Sequence, residues 1–102
     1  MIPLKTIEDL IIKHSSLEKD LSSGELDKKL FAEKSKEYSD VNEIVGNAKD
    51  YISFQGEKEE LEKILNDSSV DEELKKMAEL ELIELQNKHE ANEKKLKLFL
   101  LP

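Results

Sequence analysis

Residues 74–99 read LKKMAELELIELQNKHEANEKKLKLF, and this stretch decides the fold. Apolar side chains recur in it every three or four residues over about seven helical turns, and they form one seam: Leu74, Ala78, Leu82, Leu85, His89, Leu96 and Phe99. This spacing predicts a long amphipathic α-helix. Leu80, Ile83 and Leu98 fall outside the seam. We therefore expect a wide apolar face that touches two neighbouring helices, in place of the narrow stripe of a dimeric zipper.

The signals for the start of this helix lie immediately upstream. Asn66-Asp67-Ser68-Ser69 has the composition of a turn. Ser69-Val70-Asp71-Glu72 has the Ser-x-x-Glu pattern of a capping box, in which Ser69 would open the helix. The sequence thus predicts a turn at 66–70 and a third helix of about 28 residues, roughly 40 Å long at 1.5 Å per residue.

A first helix is predicted from about Pro3 to Leu21, with Pro3 at the first helical position, where its missing N–H costs nothing. Gly24 follows Ser22-Ser23 and suits a left-handed capping conformation. One stripe with helical spacing predicts the buried face of this helix: Leu4, Ile7, Leu10, Ile11, His14, Leu17 and Leu21.

A second helix is predicted to begin near 25–27. Its apolar stripe keeps helical spacing for about six turns and comprises Leu30, Phe31, Tyr38, Val41, Val45, Ala48 and Ile52. Beyond Ile52 the apolar positions move to another face near Gly56, and they are Phe54, Leu61, Ile64 and Leu65. We favour one long helix with a local irregularity at Gly56 over two separate helices.

Composition supports an all-α fold. Glycine and proline together number five, and charged residues make up 39% of the chain, a profile typical of long solvated helices. The two predicted turns are short, so sequential helices must run in opposite directions. We predict one domain over residues 1–102, a monomeric, coiled-coil-like antiparallel bundle of three long helices.

The charge pattern excludes several classes of protein. All 16 basic residues are lysines, so no site can use the bidentate grip of arginine on carboxylate or phosphate. The net charge of −8 argues against a domain that wraps itself in nucleic acid. Cysteine is absent, which removes disulfides, thiolate chemistry and cysteine-based zinc sites. With no membrane span or signal peptide predicted, we expect a cytoplasmic location.

No pattern predicts catalysis, a metal or a cofactor. His14 and His89 lack the Glu and His partners of a metal-binding motif, and their places on apolar stripes favour packing. The three glycines are scattered, so no phosphate loop is present, and no serine has a His-Asp context. The acidic runs at 57–62 and 71–73 are typical of a solvated surface. We expect no enzymatic activity and no small-molecule substrate.

Two lysine clusters remain. The cluster at 94–97 lies near a helix C-terminus, where the helix dipole favours positive charge. The pair Lys75-Lys76 lies near a helix N-terminus, against that preference, so it is the better candidate for a contact with a partner. Acidic neighbours partly neutralise the pair, and a solvated helix surface is the simpler interpretation.

Several segments together resemble the bacterial class I peptide chain release factors of the factor-1 type. The second-helix signature of that family is approximately Arg-Phe-x-x-Leu-Ser-Lys-Glu-Tyr followed by Pro-Ile-Val, and its helical domain closes with Leu-Leu-Leu-Pro. The matching positions here are Phe31, Ser35-Lys36-Glu37-Tyr38, Ile44-Val45, Ile64-Leu65-Asn66-Asp67, Leu74-Lys75-Lys76-Met77-Ala78 and Leu98-Phe99-Leu100-Leu101-Pro102. Lys34 and Glu43 replace the Leu and Pro of the signature, and 67–70 replaces a shorter Asp-Pro turn.

The resemblance implies the N-terminal helical domain of a factor that terminates translation at UAA and UAG. In the family, codon reading uses a Pro-x-Thr loop and peptide release uses a Gly-Gly-Gln loop; neither motif occurs in this sequence, and the ending at Pro102 looks like a cut at a domain boundary. The family assigns this domain a supporting contact with the ribosome near the stalk base of the large subunit. We expect that contact at the 66–70 turn, with Ser68, Ser69, Lys75 and Lys76 as its residues.

Two other classes remain as alternatives. An unrelated helical adaptor that binds a partner helix in a groove would show the same apolar periodicity. A small all-helical enzyme similar to a chorismate mutase has a similar length, but its active site resembles an arginine-lined anion pocket, and this chain has no arginine. A Gly-Gly-Gln codon triplet downstream in the gene would separate the release factor from the adaptor.

Overall fold

Three α-helices make up the fold. The computed structural model describes all 102 residues and contains α1 (Leu4–Ser22), α2 (Lys28–Asn66) and α3 (Glu72–Leu100), with no strand. The helices run antiparallel in sequence order, and α2 packs against both α1 and α3. The predicted all-α three-helix fold is confirmed. None of the helices has a stretch both long and apolar enough to cross a membrane.

The ends of α1 follow local backbone chemistry. Pro3 is the N-cap and not the first helical residue as predicted, because its ψ of 134° is extended. Its carbonyl oxygen accepts the first helical hydrogen bonds, from the N–H groups of Thr6 and Ile7. Gly24 adopts the predicted left-handed conformation, with φ of 74°, and no other residue has positive φ.

The second helix is continuous over 39 residues. The Asp27 side chain caps it by accepting a hydrogen bond of 2.8 Å from the Leu30 N–H. The helix passes through Gly56 without a break. The change of apolar face near Gly56 has another cause: the first half of α2 must pack against α1 as well as α3, whereas the second half faces α3 alone.

The hydrophobic core lies where the three helices overlap. Its nine members come from all three helices and the N-terminal segment, and they are Ile2, Ile7, Leu10, Leu17, Val41, Ile44, Ala48, Tyr51 and Leu96. Ile7 and Leu96 are fully buried. Burying a side chain of this size contributes about 1.5–3 kcal/mol, so this region holds most of the stability. No Cα atom of α1 comes within 8 Å of α3, so α1 and α3 meet only through side chains over α2.

The N-terminal residues are fixed to the same region. The Ile2 N–H donates to the Tyr51 hydroxyl at 3.1 Å, and the terminal amine of Met1 lies 3.1 Å from the Glu93 carboxylate. Hydrogen bonds from Lys97 and from that amine lower the pKa of Glu93. The segment before α1 therefore ties α1 to both other helices.

Both histidines pack against aromatic rings. His14 stacks on Tyr38 with ring centroids 4.9 Å apart, and its Nε2 lies 2.8 Å from the Asn42 side-chain oxygen. His89 stacks against Tyr51 at 4.7 Å and Phe54 at 3.7 Å, as expected for a packing role.

Residues 57–87 form a separate arm, which we call the distal arm. It contains the end of α2, the turn and the start of α3, and α1, with 19 residues against 39 in α2, is too short to cover it. Ala78 is its only buried residue. The molecule is accordingly elongated, 61 × 28 × 19 Å.

The apolar residues of α3 that lie outside its seam do not pack against a second helix. Leu80 is 63% exposed, Ile83 56% and Leu98 70%. The expectation that these residues contact another neighbour is wrong: α1 does not extend along the arm to Leu80 and Ile83, and Leu98, in the part of α3 near α1, stays exposed.

Candidate functional site at the hairpin tip

The turn between α2 and α3 is organised by Asp67. Its Oδ1 accepts hydrogen bonds from the Ser69 N–H at 2.9 Å and from the Ser69 hydroxyl at 2.6 Å. The Asp67 carbonyl oxygen also accepts from the Val70 N–H at 3.2 Å. An aspartate that bonds the backbone two residues ahead is the usual way in which such a side chain holds a turn. The tip is therefore ordered by its own side chains.

The start of α3 corrects the predicted capping box. The N-cap is Asp71, whose side chain accepts a hydrogen bond of 2.9 Å from the Leu74 N–H and whose carbonyl oxygen accepts from the Lys75 N–H. Ser69 is not the cap because α3 begins at Glu72, two residues later than a Ser69 cap would require. Asp71 takes the position because its extended backbone directs the carboxylate at the free N–H groups of the first turn.

The hydrogen bonds within the turn affect its charge. The Ser69 hydroxyl first, then the Ser69 N–H, lower the pKa of Asp67, and the positive charge of Lys75 lowers it further. Because the folded pKa lies below the unfolded one, ionised Asp67 stabilises the turn above its ordinary pKa. That stabilisation is lost as the pH falls through the lowered value. At neutral pH the tip holds a fixed negative charge.

The structure brings the four predicted contact residues together at this tip. Ser68 and Ser69 are exposed on the turn, but the Ser69 hydroxyl is already engaged by Asp67. Lys76 is exposed and forms no ion pair. Lys75 is half-buried, so it is less accessible than Lys76.

Sequence reasoning missed the two aspartates that build the site. Asp67 accepts from the N–H group two residues ahead, and Asp71 accepts from the N–H group three residues ahead. These spacings are typical of a turn and of an N-cap, so the sequence contained a signal for both roles. The Ser-x-x-Glu pattern at Ser69 competed with it. No group of three or more His, Asp or Glu side chains is arranged to hold a metal ion.

Comparison with known proteins identifies the family. The model of the PCRF domain matches residues 10–102. This chain belongs to the PCRF domain family. No solved structure gives a significant match.

Curated relatives of this PCRF domain are peptide chain release factors. Peptide chain release factor 1 of Pelagibacter ubique is 70% identical over 102 residues, which cover 100% of this chain and 29% of the relative. Release factor 1 of Alkaliphilus oremlandii is 35% identical over 92 residues, 88% of this chain and 26% of the relative. Release factor 1 of Rhizobium rhizogenes is 29% identical over 101 residues, 99% of this chain and 28% of the relative. The chain thus spans less than a third of the length of these relatives.

These matches confirm the resemblance carried by the second-helix signature and by the closing Leu/Pro segment. The departures at Lys34, Glu43 and the longer turn do not remove the chain from the family. The tip at 67–71 lies inside the matched region, so the candidate site is part of the PCRF domain itself.

Proposed function

We propose that this PCRF domain, over residues 1–102, is the N-terminal helical domain of a bacterial peptide chain release factor of the factor-1 type, which acts at UAA and UAG. The observation that carries the proposal is the identity of 70%, over the whole chain, to a protein named peptide chain release factor 1. Codon reading and peptidyl-tRNA hydrolysis belong to the codon-reading and Gly-Gly-Gln domains, which lie outside these residues.

The role proposed for this domain is a supporting contact with the ribosome, at the stalk base of the large subunit. Its shape supports a reaching function, because the distal arm extends away from a core made by the other parts of the three helices. Loops at such tips contain binding residues more often than the helices that support them. We place the contact at the turn, with Ser68, Ser69, Lys75 and Lys76, of which Lys76 is the most accessible charge.

The other attributes follow from the same proposal. The domain has no catalytic role and needs no cofactor, it is monomeric by itself, and it works in the cytoplasm with the rest of the factor. The surface of α3 supports a monomer. Its outward row of heptad positions holds Leu80 and Leu98 but also Glu84, Asn87 and Lys94, which would be buried in a helix-to-helix dimer.

The tip contact is tested in a chimeric factor, in which this domain replaces the equivalent part of the Pelagibacter ubique release factor. We expect Lys75→Glu with Lys76→Glu to weaken association with ribosomes stalled at UAA. The loss should be larger at low salt than at high salt, because exposed charges are screened. Binding is measured by co-sedimentation across a salt series.

A matched control uses Lys28→Glu with Lys29→Glu, an exposed lysine pair at the start of α2 that changes the net charge equally. Circular dichroism checks that each variant keeps its helices. Unchanged binding of the tip variant across the salt series, or an equal loss of binding in the control variant, would show that the contact lies elsewhere on the domain.

A further inference from the structure

The negative charge of the molecule is concentrated on the distal arm. Residues 57–87 contain 11 of the 24 acidic residues but only four of the 16 lysines. Less than a third of the chain therefore carries seven of the eight net negative charges. The remaining residues, with 13 acidic side chains and 12 lysines, are close to neutral.

None of the charges on the distal arm is compensated by an ion pair. Every ion pair between a lysine and a carboxylate lies outside the distal arm. These ion pairs are Lys13–Glu37, Lys34–Asp20, Lys88–Asp50 and Lys97–Glu93. The lysines of the arm are likewise unpaired, although its sequence offers helical spacings for such pairs. The arm thus presents an uncompensated acidic surface to solvent.

Exposed apolar side chains accompany this charge. Leu74, Met77, Leu80 and Ile83, all on α3, are between 48% and 63% exposed. A groove of 270 Å³ runs between α2 and α3. Leu74 and Met77 lie on the side of α3 that faces this groove, whereas Leu80 and Ile83 lie on other sides of the helix. Half-buried Leu61 and Leu85 contribute its apolar lining, and the other lining residues are Glu57, Glu81, Glu84 and Lys88.

Met77 shares one side of α3 with the charged residues that line the groove. Met77, Glu81, Glu84 and Lys88 are separated by four, three and four residues, so they share one side of the helix, next to the groove. An apolar floor with an acidic rim is complementary to a helix that has an apolar stripe flanked by positive charges. No third helix of this chain occupies that place.

We propose that this groove binds a basic amphipathic helix of a partner protein. Apolar residues of the partner helix would pack on Leu61, Leu85 and Met77, and its Lys or Arg side chains would pair with Glu81 and Glu84. This surface is distinct from the lysine tip of the proposed function and goes beyond it. An RNA partner is disfavoured because the carboxylates of Glu57, Glu81 and Glu84 at the groove repel phosphate, and a second copy would bring two acidic grooves together.

A synthetic peptide provides the probe. It has 18 residues, with leucine at helical spacing on one face and lysine and arginine on the other, and carries a fluorescent label. Its binding to the 102-residue chain is followed by fluorescence anisotropy. We expect Glu81→Lys with Glu84→Lys to weaken binding about tenfold, since close charge pairs at an interface contribute that much or more.

The control separates specific docking from general attraction to a negative protein. Glu8→Lys with Asp9→Lys changes two exposed positions on α1 and shifts the net charge by the same amount. This variant should bind the peptide within about twofold of the unaltered chain if the groove is the site.

A second pair of variants tests the apolar part. Met77→Gln should weaken binding several-fold, whereas Ile12→Gln, at an exposed apolar position on α1, should not. Equal losses in the matched charge variants, no peptide binding by the unaltered chain, tighter binding of an RNA hairpin probe, or self-association in light scattering would each overturn the proposal. Circular dichroism confirms the fold of every variant.

Discussion

At the scale of single residues, two aspartates of the tip form different hydrogen bonds. Asp67 bonds forward to Ser69 and closes the turn, and Asp71 bonds forward to Leu74 and begins α3. Each carboxylate satisfies N–H groups that would otherwise lack a partner at the end of a helix or in a turn. The local order of the candidate site depends on these two side chains.

Replacement of Asp71 tests this division of tasks. We expect Asp71→Ala to lower the free energy of unfolding by about 1 kcal/mol, because the N-cap hydrogen bond is lost. Ser69→Ala should cost less, since Ser69 is not the cap, and it should raise the pKa of Asp67. Urea unfolding measures the first effect and NMR titration of the Asp67 carboxyl the second. A larger loss of stability in Ser69→Ala would restore Ser69 as the cap.

Sequence patterns located the tip but not its bonding. The polar run at 66–69 correctly predicted a turn, because short polar residues offer the backbone alternatives to helix. Which of several neighbouring Ser and Asp residues becomes the cap depends on backbone angles across the whole turn. Those angles are set by how α2 and α3 pack, and a single sequence does not contain that information.

At the scale of helices, the molecule divides into a packed core and a lightly packed distal arm. The core buries Ile7 and Leu96 completely, whereas Ala78 is the only buried residue of the arm. Segments with few buried apolar contacts open more readily than the rest of a protein. We therefore expect the arm to open without unfolding of the core.

Hydrogen exchange tests this expectation. Amides of the distal arm should exchange faster than those of residues 41–51 in the core half of α2. Ala78→Gly, which costs about 1 kcal/mol of helix propensity, should accelerate exchange in the arm and leave the core half of α2 unaffected. Ala91→Gly, at an exposed position of α3 outside the arm, is the matched control and should not accelerate the arm. Equal exchange rates in arm and core would show one cooperative unit.

The number, order and approximate ends of the helices were predictable from spacing, Gly24 and the turn residues. The exposure of Leu80 and Ile83 was not. Periodicity shows which residues are apolar on a helix, but whether a neighbour covers them depends on the lengths of the other helices. Here α1 lies along the half of α2 that precedes Tyr51, which leaves that apolar surface of the arm open.

At the scale of the whole molecule, the staggered helices form a packed core and a distal arm that extends from it. The core ties α1, α2 and α3 together around Leu96 and Tyr51, and the distal arm extends from it with most of the net charge. Net charge and family resemblance were both readable from the sequence. The concentration of unpaired carboxylates beside an open groove required the structure, because it depends on which helices face each other.

The central claim is that this chain serves as the helical domain of a release factor and supplies no catalysis itself. A chimera in which these 102 residues replace the equivalent part of the Pelagibacter ubique release factor tests it most directly. Peptide release is measured on ribosomes stalled at UAA, UAG and UGA. We predict release by the chimera at UAA and UAG but not at UGA, and none by the isolated domain at any codon. A folded chimera that releases no peptide, or codon-dependent release by the isolated domain, would contradict the account.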